Sequence, residues 1–147
     1  MIKVSLVPKE HVDNCWDGVK DFLSGAAKYT HGRYEVEDIY DAIMDYDHQL
    51  WIAFDDVGFK GAVVTNFVHY PKKKYLCMTF CGGDDLKDWK DPMLKLLQCW
   101  ARDNQCDGVE ATARVGWTKI FKDDGHTPLW QTFQLPAADV GLGAQNG

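Results

Sequence analysis

The stretch from Tyr75 to Gly125 limits what this chain can fold into more than any other. An apolar run, Tyr75-Leu-Cys-Met-Thr-Phe-Cys81, ends in Gly82-Gly83. A loop rich in aspartate follows, then an amphipathic segment from Pro92 to Asn104 and a second short apolar run from Gly108 to Ala113. A helix of that length returns the chain to the end at which the first run began. The two runs are therefore predicted to be parallel neighbouring strands with a right-handed crossover. Asp91 is placed to cap the helix, with Pro92 at its first position, where a missing N–H costs nothing.

The residues before this unit read as its support. Ile2 to Val7 alternates apolar and polar side chains and meets Pro8, a strand closed by a residue that cannot donate to a ladder. From His11 to Lys28 the apolar positions recur every three or four residues, and from Glu35 to Asp47 they do so again, giving two helices. Leu50 to Phe54 and Phe59 to Tyr70 flank the turn residues Asp55-Asp56-Val57-Gly58, and Pro71 with Lys72 to Lys74 makes the next turn into Tyr75. Three consecutive strands in a meander follow from this. Thr118 to Asp123 is expected as a short helix ended by Gly125, and Leu129 to Leu135 as a last strand. The expected class is α/β (α+β), in the order β-α-α-β-β-β-α-β-α-β, with one domain over 1–135 and a flexible tail over 136–147.

Composition narrows the function. A length of 147 residues with 46% hydrophobic content supports one sizeable core, and a net charge of −6 provides no basic face for nucleic acid. The five cysteines form no CxxC pair and lie in apolar segments, which points to reduced thiols. With neither a secretory leader nor a membrane-length apolar run, the chain is expected to be unsecreted and to have no membrane partner.

The element order resembles the GNAT acyltransferase fold over Ile2 to Leu135. Two local features carry the resemblance: the strand entering a glycine loop and helix at Phe80 to Leu97, and Trp117-Thr-Lys-Ile-Phe-Lys-Asp-Asp-Gly125, in which an aromatic residue stands four positions before a glycine. The resemblance implies a mixed, mostly antiparallel sheet with helices on both faces. It also implies an acetyl-CoA site in which backbone N–H groups at a helix N-terminus hold the pyrophosphate. In the family that loop carries an Arg/Gln-x-x-Gly-x-Gly/Ala pattern. Here Cys81-Gly-Gly-Asp-Asp-Leu-Lys-Asp-Trp-Lys-Asp91 lacks the pattern and sets four carboxylates against Lys87 and Lys90. The tyrosine that many members use as general acid is replaced by Phe121. If acyl-CoA binds, the resemblance assigns it to Met78, Phe80, Cys81, Gly82 and Gly83. Small GNAT-like proteins from the virion gene modules of short-tailed bacteriophages share the Gly-Gly after the strand and a Gly-Trp like Gly116-Trp117, and such proteins often lack the acetyl-CoA signature.

Two further side chains stand out. Glu110, inside a short apolar strand, is the carboxylate best placed to act as a general base. Trp89, in the polar aspartate loop, is expected to be an exposed anchor for a protein partner. His11 and Cys15 lie four apart but find no second ligand pair for a metal. The reading is a GNAT-like protein with a degenerate acetyl-CoA site, acting as a binding or structural component. It is expected to be phage-encoded, in the host cytoplasm or the virion, with virion proteins or itself as partner. The alternative is an acyl-CoA-dependent N-acetyltransferase with an unconventional cofactor loop.

Overall fold

A computed structural model of the chain describes residues 1–114 and 116–137, in two compact units, Met1–Arg114 and Val115–Gly147. The first unit runs β1 (Lys3–Val7), α1 (Val12–Ala27), α2 (Val36–Asp45), β2 (His48–Phe54), β3 (Phe59–His69), β4 (Lys74–Gly83), α3 (Leu86–Asp103) and β5 (Gly108–Ala111). The five strands lie in the sheet in chain order. Pairs β1 to β4 are antiparallel, and β5 runs parallel to β4, as its crossover through α3 requires. The mixed, mostly antiparallel sheet is thus the one expected.

Each face of the sheet has its own core. On one face, Leu50, Ala62, Val64 and Phe80 meet the stripe Val12, Cys15, Val19 and Leu23 of α1 and Val36, Ile39 and Ile43 of α2. Full burial of each Leu or Ile contributes roughly 1.5–3 kcal/mol. Between α1 and α2, Gly32 takes a left-handed turn conformation, and the Glu35 N–H donates to the Asp38 carboxylate at 2.8 Å to start the next helix. On the other face, α3 buries Trp89, Met93, Leu97 and Ala101. Trp100 of α3 meets Trp51 edge-on and stacks on Phe67. Trp51 Nε1–H donates to Thr65 Oγ1, which donates in turn to Gln49 Oε1, both at 2.8 Å, so the buried hydroxyl is satisfied.

Two expectations are corrected. Helix α3 starts at Leu86, so Asp91 is not its cap and Pro92 lies inside it. The residue at its N-cap is Asp85, in a left-handed conformation at φ 51°. Residues 126–137 contain no strand, so the strand expected over Leu129–Leu135 is not formed within the chain. A strand needs an edge to pair with, whatever its own composition; here Leu129, Trp130, Phe133 and Leu135 stand 63%, 69%, 82% and 88% exposed. The second unit contains α4 (Trp117–Ile120) and a 3-10 turn (Lys122–Asp124), closed by Gly125 in the left-handed region. The tail expected over 136–147 lies, from residue 138 onward, outside the described residues. Among the described residues no helix is long and apolar enough to cross a membrane.

Candidate functional site

The site is built from an irregularity in β4. Val64 pairs with Phe80 but Thr65 pairs with Met78, so Thr79 is an extra residue bulged out of the ladder. β5 pairs only with Tyr75 to Met78, its last rung being Met78 with Ala111, while β4 continues to Gly83. The two strands therefore part at the bulge. Past it, Phe80 to Gly83 pairs with β3 alone within the first unit.

Below the bulge, the register sets four polar side chains opposite one another on four adjacent strands: His48 with Asn66, Asn66 with Cys77, and Cys77 with Glu110. Directly opposed residues share a face, and strands lie about 4.8 Å apart, so this row crosses about 14 Å of the face that also carries Val64. The Thr79 hydroxyl donates to Asn66 Oδ1. Tyr70, just past the end of β3, donates its hydroxyl to Glu110 Oε1 at 2.6 Å. That bond, with the Glu110 charge, pushes the Tyr70 phenol up to about 12. Burial raises the Cys77 thiol, so it stays protonated at neutral pH and is a poor nucleophile. Burial lowers His48, whose Nδ1 is buried without a hydrogen-bond partner among the described residues. The row can therefore offer a carboxylate that accepts a phenol hydrogen bond, an amide, a neutral thiol and a neutral imidazole. Together these suit contact with a small polar ligand.

The other end of β4 is different. The Asp84 N–H donates to Lys60 O at 2.8 Å, so the loop stays tied to β3. Trp89 Nε1–H donates to Asp84 O at 2.9 Å, and its ring lies where a side chain at Gly61 would have to go. Trp89 is 1% exposed. The expectation of an exposed anchor is thus overturned: Trp89, Met93, Leu97 and Ala101 are spaced by four and form one apolar stripe, which begins inside the aspartate loop. Asp84, Asp85 and Asp88 remain exposed around the start of the helix.

The residues assigned to a cofactor lie together along this strand but offer few side-chain groups. Met78 and Phe80 are buried, Phe80 against the ring of Tyr34. Burial pushes the Cys81 thiol up to about 12. At Gly82, the Phe22 carbonyl of α1 fills the place of a side chain. Phe121 is in the second unit, stacked on Trp117 at 5.4 Å, and its carbonyl lies 2.7 Å from His126 Nδ1.

Sequence reasoning finds Glu110 but misses Tyr70, His48, Asn66 and Cys77 as its neighbours. Counting outward from Phe54 opposite Phe59 pairs His48 with Thr65, one residue short of its true partner. The register shift between Ala53 and Phe54 accounts for the difference. Neither that irregularity nor the bulge at Thr79 has a signal in the sequence.

A mixed five-stranded sheet in chain order, with a bulged β4, a parted β5 and helices on both faces, is a GNAT-like acetyltransferase fold. No protein-family model matches the sequence, and neither does any curated protein. Among solved structures, an integron cassette protein from the mobile metagenome of V. cholerae is similar at TM-score 0.66 and 16% identity, over 99% of this chain and 97% of that one. The ribosomal-protein-alanine N-acetyltransferase of Brucella melitensis biovar Abortus gives TM-score 0.69 at 12% identity, over 94% and 100%. A predicted acetyltransferase from Clostridium acetobutylicum, solved with acetyl-CoA, gives 0.64 at 10% identity, over 92% and 96%. At these identities the likeness shows the fold alone.

Proposed function

We propose that this chain is a GNAT-fold binding protein whose acetyl-CoA site is degenerate. The observation that carries the reading is the trio of exposed carboxylates, Asp84, Asp85 and Asp88, at the start of α3, where a pyrophosphate would have to sit. Phosphate is drawn to free amides and a positive helix end, and carboxylates there repel it. The Asp84 amide is in addition already used by Lys60. The polar row from His48 to Glu110 is then a ligand or partner contact without turnover. The Gly82-Gly83 pair and Gly116-Trp117 support placing the protein among virion-associated products of short-tailed phages, with virion proteins as partners.

One observation favours a second reading, an acyl-CoA-dependent N-acetyltransferase. The edge of β4 from Thr79 to Gly83 is left by β5, so pantetheine could lie along it, with the Tyr70–Glu110 pair as acid and base on the adjoining face. A thermal-unfolding scan with and without millimolar acetyl-CoA separates the two. Ligand at about 100 times its dissociation constant stabilises by roughly 2.7 kcal/mol, and a domain of this size shifts by about 2–4 °C per kcal/mol. We expect no shift for the native chain, and a clear upward shift would overturn the degenerate reading in favour of the enzyme.

A further inference from the structure

We propose that the groove between α1 and α2 is a docking site for a basic segment of a partner protein, with an arginine side chain seated in it. The groove is a cavity of about 340 Å³, at the small end of the range for ligand sites. Trp16, Val36 and Tyr40 supply its apolar wall, and both rings are only half-buried, so each keeps a surface for a visitor. They meet edge-on, with centroids 5.0 Å apart and planes at 63°. The Tyr40 hydroxyl donates to Asp13 Oδ1 at 2.6 Å, which ties α2 to α1 and holds the ring in place.

The charge around that wall is one-sided. Asp13, Asp17, Glu37 and Asp41 line the same groove against one cation, Lys20. Among the described residues none of the four carboxylates makes an ion pair. The charge also runs on beyond the cavity. Asp13, Asp17 and Asp21 on α1, and Glu37, Asp41 and Asp45 on α2, are exposed at four-residue spacing, so each helix carries a stripe of carboxylates about 12 Å long. Like charges four apart destabilise a helix, whereas lysine at alternate positions would stabilise it. A positively charged partner relieves that repulsion.

Arginine matches both the wall and the rim. Its planar guanidinium stacks on the face of a tryptophan or tyrosine ring while its N–H groups donate to carboxylates beside it. A free small cation would fill the cavity and leave Asp21 and Asp45 unanswered, since neither lines it. A segment with several basic residues reaches both stripes. Docking here does not depend on whether acyl-CoA binds.

The test is fluorescence anisotropy of the full chain with a labelled peptide of alternating arginine and glycine, at physiological salt. We expect saturable binding, stronger than that of the same peptide made with lysine. Asp17→Lys with Asp41→Lys, both at exposed positions, should weaken it about tenfold or more, and Trp16→Ala by roughly three- to tenfold. Asp56→Lys with Asp103→Lys makes the same change of net charge at exposed positions outside the groove and should leave affinity nearly unchanged. Absence of saturable binding overturns the proposal, as does binding that the Asp17–Asp41 pair leaves intact. Equal weakening by the Asp56–Asp103 pair also overturns it, because charge alone would then explain the binding. N-acetylarginine amide binding as tightly as the peptide would make the groove a site for a small cation instead. A dimer of the free chain that Asp17→Lys with Asp41→Lys dissolves would make the occupant a second copy, and either result overturns the partner segment.

Discussion

A methyl group added at Gly82 would run into the carbonyl of Phe22, because α1 crosses β4 at backbone contact distance. Backbone cannot swing aside as the tip of a side chain can. Gly82→Ala is therefore expected to lose about 1–3 kcal/mol in urea denaturation. Gly25, also in α1, has open space where a side chain would stand, with nothing within 4 Å. Gly25→Ala should gain about 0.5–1 kcal/mol, from helix propensity alone. The glycine pair after β4 is visible in the sequence, but the sequence does not say what approaches it. On the α1 side of Gly82 that neighbour is the protein's own carbonyl, a packing outcome that composition does not encode. His48 gives a second expectation at this scale. Burial lowers its proton affinity in the folded state, against a smaller opposing pull from Asp47. Its contribution to stability is present above the ordinary histidine value of about 6.5 and is lost as pH falls through the lower folded value. Unfolding free energy measured from pH 7.5 down to 5 should fall, and His48→Gln should flatten that slope.

Among the elements, the strands of the meander are the more legible. Turn residues at Asp55–Gly58 and Pro71–Lys73 punctuate it, and the helix between β4 and β5 dictates their parallel pairing. The start of α3 is not legible, because Leu86 to Asp91 reads as polar loop and Pro92 reads as a first helical residue. Only the four-residue spacing from Trp89 to Ala101 reveals it, and accepting that spacing means placing a proline at the seventh position of an eighteen-residue helix. That proline leaves the Asp88 carbonyl without its usual helical donor. Pro92→Ala should restore the bond and stabilise the protein by about 1 kcal/mol, offset in part by the freer unfolded chain. A urea midpoint that falls instead would show that Pro92 is held by packing.

For the whole molecule, the architecture can be read from the chain, but the polar row cannot. His48, Asn66, Cys77 and Glu110 are distant in sequence and ordinary one by one. They meet because three successive registers align them, and one of those registers lies just below the bulge at Thr79. The C-terminal segment shows the converse. Leu129–Leu135 has every local feature of a strand, yet strand formation is decided by an edge and not by the segment.

Order of synthesis leaves the face under α3 bare for a time. Once Gly83 has been made, β2, β3 and β4 are complete, and Trp51, Val63 and Leu76 are ready to pack, but the helix that buries them is still about twenty residues from its end at Asp103. At roughly 5–20 residues per second that is on the order of one to four seconds. Over that interval a nascent chain on the ribosome carries an uncovered apolar sheet, and a chaperone that recognises such surfaces would have its opportunity then.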